Sequence, residues 1–138
     1  MTTITTRAVK GSPLTNQEVD DNFTNLNNDK LEIVINGVTS GSTITPAVTD
    51  TQYNVTALAV GATIAAPTGT PVSGHKLLLR IKDNGSPRAL NWTTSAGGYR
   101  AIGVTLPTTT VASKILYIGC TYNSTDNYWD VTAVGQQA

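Results

Sequence analysis

Apolar positions follow two different periods along this chain, and the change falls near residue 30. Val19, Phe23 and Leu26 stand at i, i+4 and i+7, one stripe of a helix, with Asp20, Asp21, Asn22, Asn25, Asn27 and Asn28 on the other faces. Thr15 is placed to cap that helix, and Glu18 follows at the reciprocal capping-box spacing. Leu14 and Val19 occupy the positions of a hydrophobic staple, and Gly11-Ser12-Pro13 punctuates the chain before them. The spacing predicts a helix over Asn16 to Asp29. Before it, residues 1 to 10 alternate Thr with Ile4, Ala8 and Val9, which predicts an extended arm. Three apolar side chains are too few to order such a helix in isolation, so it must dock on something. The residues expected to carry that docking are Leu14, Val19, Phe23 and Leu26.

Beyond the helix the period becomes two. Leu31 to Ile35 reads as a short strand ended by an Asn36-Gly37 turn, and Ser40-Gly41-Ser42 reads as a boundary. The expected organisation is a docking element over 1–40 and a β domain over 41–138. Within the latter, QYNVTALAV and ATIAA are strand candidates. KLLLRIKD is the clearest, with Leu77, Leu79 and Ile81 on one face and Lys76, Arg80 and Lys82 on the other. Asp83-Asn84-Gly85 reads as its hairpin turn, returning through RALNWTT. YRAIGVTL follows Gly97-Gly98, and ASKILYIGCTYN is expected to pair with NYWDVTAV as a long terminal hairpin. The fold class expected is mainly β: an antiparallel β-sandwich or jelly-roll-like barrel, preceded by an extended N-terminal arm and one short α-helix.

Composition narrows the function. Charged residues make up 13% of the 138, with nine basic against nine acidic, so no cationic surplus exists to hold nucleic acid. Weak charge favours self-association. Cys120 is the only cysteine, and between Ile118 and Tyr122 it reads as a buried small hydrophobe in a chain made in a reducing cytosol. The first residues contain no continuous apolar run, so neither a signal peptide nor a membrane span is expected.

Catalytic groups are scarce. His75 is the only histidine and, beside Gly74, reads as a turn residue without a partner. A His-rich or Cys-based metal site cannot be written. Asp20 and Asp21 are adjacent on a helix and point about 100° apart, so they read as a solvated face. Asp126 and Asp130 bracket a turn and a strand and read as turn chemistry, with an oxygen-ligand cation site as the alternative. GGYR and GSPR lack phosphate-loop spacing. Neither catalytic residue, cofactor nor metal is expected, and paired carboxylates for a glycan hydrolase cannot be argued. Trp92, Tyr99, Tyr128 and Trp129 could form a sugar platform or a core, with Arg88 and Arg100 flanking them. Trp92, Tyr99, Arg100 and Trp129 are therefore candidate surface or receptor contacts.

KGSPLTNQEVDDNFTNL resembles the N-terminal signature of many tailed-bacteriophage virion proteins, in which Gly-Ser-Pro-Leu-Thr leads into a Glu-Val-Asp-x-Asn-Phe-x-x-Leu helix. Gly11, Ser12, Pro13, Leu14, Thr15, Glu18, Val19, Asp20, Asn22, Phe23 and Leu26 match it. The run from LLLRIKD to NYWDV is similar to a β module of phage, including cyanophage, structural proteins. The resemblance implies a non-enzymatic, commonly trimeric assembly part. The leading expectation is a homotrimeric capsid decoration or cement protein that seats its arm on the major capsid protein of the head. The alternative is a tail-fibre or receptor-binding adaptor or tip that touches host glycan. Either would be made in the host cytoplasm and reside in the virion, with no nucleic-acid or membrane partner.

Overall fold

A computed structural model describes residues 3–29 and 32–138, with the side chains of residues 28 and 29 outside the description. The chain divides into two compact units, Met1–Glu32 and Ile33–Ala138.

The first unit holds α1 (Arg7–Lys10) and α2 (Asn16–Asp29). The expected arm is not extended throughout. Thr6 caps a single helical turn by accepting from Val9 N at 3.3 Å, and Gly11 at φ 73° ends it, a left-handed conformation natural to glycine. α2 has the expected bounds, and its capping box is closed. Thr15 N donates to Glu18 Oε2 at 2.7 Å while Glu18 N donates to Thr15 Oγ1 at 3.2 Å. Lys10 pairs with the same Glu18 carboxylate and ties α1 to the cap.

The second unit is mainly β, in two sheets around one core. Its strands are β1 (Ile35–Val38), β2 (Thr43–Ile44), β3 (Gln52–Leu58), β4 (Ala62–Ile64), β5 (Lys76–Asp83), β6 (Leu90–Trp92), β7 (Tyr99–Ala101), β8 (Ile115–Asn123) and β9 (Tyr128–Gln136). The larger sheet runs β1-β3-β5-β8-β9-β7 and the smaller β2-β4-β6. The mainly-β, sandwich-like class is as expected. Strand direction is not: β1, β3 and β5 are parallel neighbours, and so are β2, β4 and β6. The chain crosses from the larger sheet to the smaller and back three times; the first two returns add β3 and β5 as parallel neighbours, as in a short solenoid, and the third lands on β7 at the far edge, parallel to β9. Among the named strand pairs only β5-β8 and β8-β9 are antiparallel, and the latter is the terminal hairpin read from the sequence.

Four sequence readings are corrected by this winding. Asn36-Gly37 is not a turn but the middle of β1, whose register matches Gly37 to Asn54. Of the strand read over residues 31–35, Leu31 lies outside the described residues and pairing starts only at Ile35. β1 pairs with β3, so residues 33–40 belong to the β unit rather than to the arm. Asp83-Asn84-Gly85 is not a hairpin turn either, because residues 88–90 leave β5 and bond instead to the 108–110 segment. Leu90 N donates to Thr108 O and Thr110 N to Arg88 O, each at 2.9 Å.

Alternation sets the core. β5 and β8 bury every second residue: Leu77, Leu79 and Ile81 from one, Leu116, Ile118, Cys120 and Tyr122 from the other. Ile44, Ile64 and Leu90 enter the same cluster from the smaller sheet. Lys76, Arg80 and Lys82 consequently face outward, as the sequence predicts.

Candidate functional site

The helix of the first unit exposes what a helix usually hides. Val19, Phe23 and Leu26 are 36%, 68% and 57% exposed, and Leu14 is half-buried. The polar flank of α2 is partly engaged. Asn22 exchanges two 2.8 Å hydrogen bonds with the backbone of Thr5, and Asn25 Nδ2 donates to Thr3 O at 2.8 Å. The arm therefore lies on the amide side of α2 and leaves the apolar stripe uncovered within the unit. Glu18 is held below its ordinary carboxylate range by the Lys10 ammonium and the Thr15 amide.

A second feature lies on the outer face of the larger sheet. Residues that share one register row there are Gly37, Asn54, Arg80, Tyr117 and Gly135. The Arg80 guanidinium sits 5.3 Å from the Tyr117 ring centroid, and Nη2 donates to the phenol oxygen at 3.4 Å. Its Nε–H is buried without an acceptor. Asn54, Thr56, Arg80, Lys82 and Ile115 line a groove of about 250 Å³ on this face. A neighbouring groove of about 520 Å³ is bordered by Ile33, Ile35, Gln52, Lys76 and Leu78. Neither Lys76, Arg80 nor Lys82 forms an ion pair among the described residues.

The aromatic receptor patch is corrected. Tyr99 and Trp129 are 0% and 1% exposed, so both are core residues. Trp92 is half-buried, meets Tyr99 edge-on at 5.2 Å and donates its indole N–H to Pro107 O at 2.7 Å. Arg100 remains partly accessible but is engaged. It bonds Asp130 at 2.8 and 3.1 Å and Asp126 at 2.9 Å, and its guanidinium lies 5.0 Å from the Tyr128 ring centroid. This contact lowers the Asp130 pKa and raises that of Arg100. The Arg100 guanidinium thus occupies the position between the two carboxylates that the cation-site alternative required. His75 closes a turn, with Nδ1 accepting from Val72 N at 3.3 Å. Among the described residues, no group of three or more His, Cys, Asp or Glu is placed to hold a metal ion. No described helix is long and apolar enough to cross a membrane.

Comparison with protein-family models, with curated proteins and with solved structures finds no match to this chain. The reading of function therefore rests on the residues themselves.

Sequence reasoning located the helix stripe but missed the sheet groove. The signal was present: KLLLRIKD places three cations on one strand face with no acid among them. Seeing that its neighbours add none requires the parallel pairing to β3.

Proposed function

We propose that the chain is a non-enzymatic structural protein of a bacteriophage virion, a trimeric capsid decoration or cement protein whose arm and capped helix are the docking element. The observation that carries this is the exposed Val19, Phe23 and Leu26 stripe on a helix with a closed capping box. A helix capped this well and left apolar on one side is built to be covered by another surface. Such a protein acts by burying surface on several subunits at once, so that modest contacts add through multivalency and oppose pressure from packaged DNA. The tail-fibre reading relied on exposed aromatics, and burial of Tyr99 and Trp129 leaves it with Trp92 and Arg100 alone.

The test is to image virions of the phage that encodes the chain, at a resolution that shows helices, and to count copies. Many copies over the head are expected. Copies confined to the tail would overturn the decoration reading and favour the fibre alternative; absence from the virion would overturn both.

A further inference from the structure

We infer that α2 of one copy seats on the outer face of the larger sheet of a second copy, along β5. The inference rests on the reading of α2 as a docking element and names what it docks on. Charge complementarity carries it. α2 contains Glu18, Asp20, Asp21 and Asp29 and no basic residue. Glu18 is committed to Lys10, and Asp21 accepts from Gln17 Nε2 at 2.8 Å, whereas Asp20 stands next to Val19 and its carboxylate has no partner among the described residues. The sheet face offers the opposite pattern. Lys76, Arg80 and Lys82 project from β5, and the only acid on β1, β3, β5 or β8 is Asp83, which points into the core.

The apolar parts match as well. Ile35 is 56% exposed, while Leu78 and Ile115 are half-buried beside the grooves. These are acceptors for Phe23 and Leu26. Lengths agree too: fourteen helical residues span about 21 Å at 1.5 Å each, and Lys76 to Lys82 spans about 20 Å of strand at roughly 3.3 Å per residue. The contact joins two different surfaces, and with a three-fold rotation it would close the ring of the trimer proposed above.

The full chain is examined by sedimentation velocity at low and high salt, with Lys82→Glu, Phe23→Ser and the charge-exchanged Asp20→Lys/Lys82→Glu pair. Wild-type protein is expected to form a closed oligomer that weakens with salt. Either single change should weaken association at least tenfold, and the exchanged pair should recover most of the Lys82→Glu loss. Circular dichroism identifies folded variants. Carbodiimide crosslinking of wild-type protein supplies a second reading, with Asp20 joined to Lys76 or Lys82 only between copies. A monomer at all concentrations, an oligomer indifferent to these changes, or an oligomer without that crosslink would overturn the inference. A monomer that still binds heads through α2 would do so while leaving the function reading intact; the expected oligomer without virion binding would do the reverse.

Discussion

The Thr110 hydroxyl donates to Asp83 Oδ2 at 2.7 Å, and both residues are 2% exposed. Asp83 Oδ1 accepts from Gly85 N at 2.9 Å and Ser113 N at 2.8 Å, so one carboxylate at the end of β5 fastens two loops. Burial pushes its pKa up, but the three donors outweigh it and leave the carboxyl below its usual value. Asp83→Ala should cost about 3 kcal/mol, since it removes bonds to a charged group and strands buried donors. A group with a depressed folded pKa stabilises fully above its unfolded pKa and loses that contribution as pH falls through the folded one. The difference in urea midpoint between wild type and Asp83→Ala should therefore be constant from neutral pH to about pH 5 and shrink below about pH 4. A difference that persisted unchanged at the acid end would refute the electrostatic account.

Tyr99 gives a prediction of opposite sign. Its phenol oxygen is buried without a partner, and burial raises its pKa well above the usual value. Tyr99→Phe removes an unsatisfied polar atom and keeps the ring against Trp92. It should be neutral or stabilise the fold by up to about 1 kcal/mol in chemical denaturation. A loss of more than about 1 kcal/mol would mean that the hydroxyl serves a contact outside this core.

The parts of the fold that were legible in sequence are those set by neighbours along the chain. The α2 bounds follow from Thr15, Glu18 and the Val19 stripe, and the β8-β9 hairpin follows from two alternating runs around a short polar turn. Pairing across rungs was not legible, because alternation identifies a strand and its inward face without naming its partner. Asp83-Asn84-Gly85 has hairpin chemistry, yet Asp83 turns inward to hold residues 110–113. Tyr99 and Trp129 sit between polar and glycine-rich stretches that suit a surface loop equally well. Only the parallel β7-β9 register, Tyr99 opposite Trp129, brings both into the core.

Two glycines distinguish a buried constraint from an exposed one. A Cβ on Gly98, which is itself buried, would lie 2.1 Å from Thr93 O, and a Cβ on Gly37 would lie 2.1 Å from Asn54 O. Both contacts are with backbone and cannot be relieved by a rotamer change. Gly37 is exposed on the edge strand β1, which can detach, whereas Gly98 is buried just before β7, at the opposite edge, and is held beside the fully buried Tyr99. Gly98→Ala should lower global stability by about 3 kcal/mol or more. Gly37→Ala should cost less than half of that and show instead as fast hydrogen exchange confined to the β1-β3 bonds. Equal global losses would refute the distinction.

Cys120 reports opening of the β unit. It is 4% exposed, its thiol donates to Leu77 O at 3.3 Å, and burial pushes its pKa up to about 12. Thiolate is therefore scarce at neutral pH and inaccessible besides. Labelling by an aromatic disulfide reagent should be slow in the native protein and rise with urea along the unfolding curve. Rapid labelling without denaturant would show that the β5-β8 seam opens locally.

Removal of residues 1–32 separates folding from assembly. No described residue of the first unit contributes to the core cluster, whose members run from Ile44 to Val131. The fold of residues 33–138 is closed by its own ladders, from the Ile35–Gln52 register to the Leu116–Gln136 register. The truncated chain should thus unfold cooperatively within a few degrees of the full one by calorimetry. It should also lose the association that α2 provides, because Val19, Phe23, Leu26 and Asp20 all go with the deletion. Point changes report on the same surface with less disruption: Phe23→Ser should reduce association while leaving the melting temperature unchanged at dilutions where both proteins are monomeric. A truncated β unit that fails to fold would show that the helix unit is structural, and a truncated unit that assembles as well as the full chain would show that docking lies elsewhere.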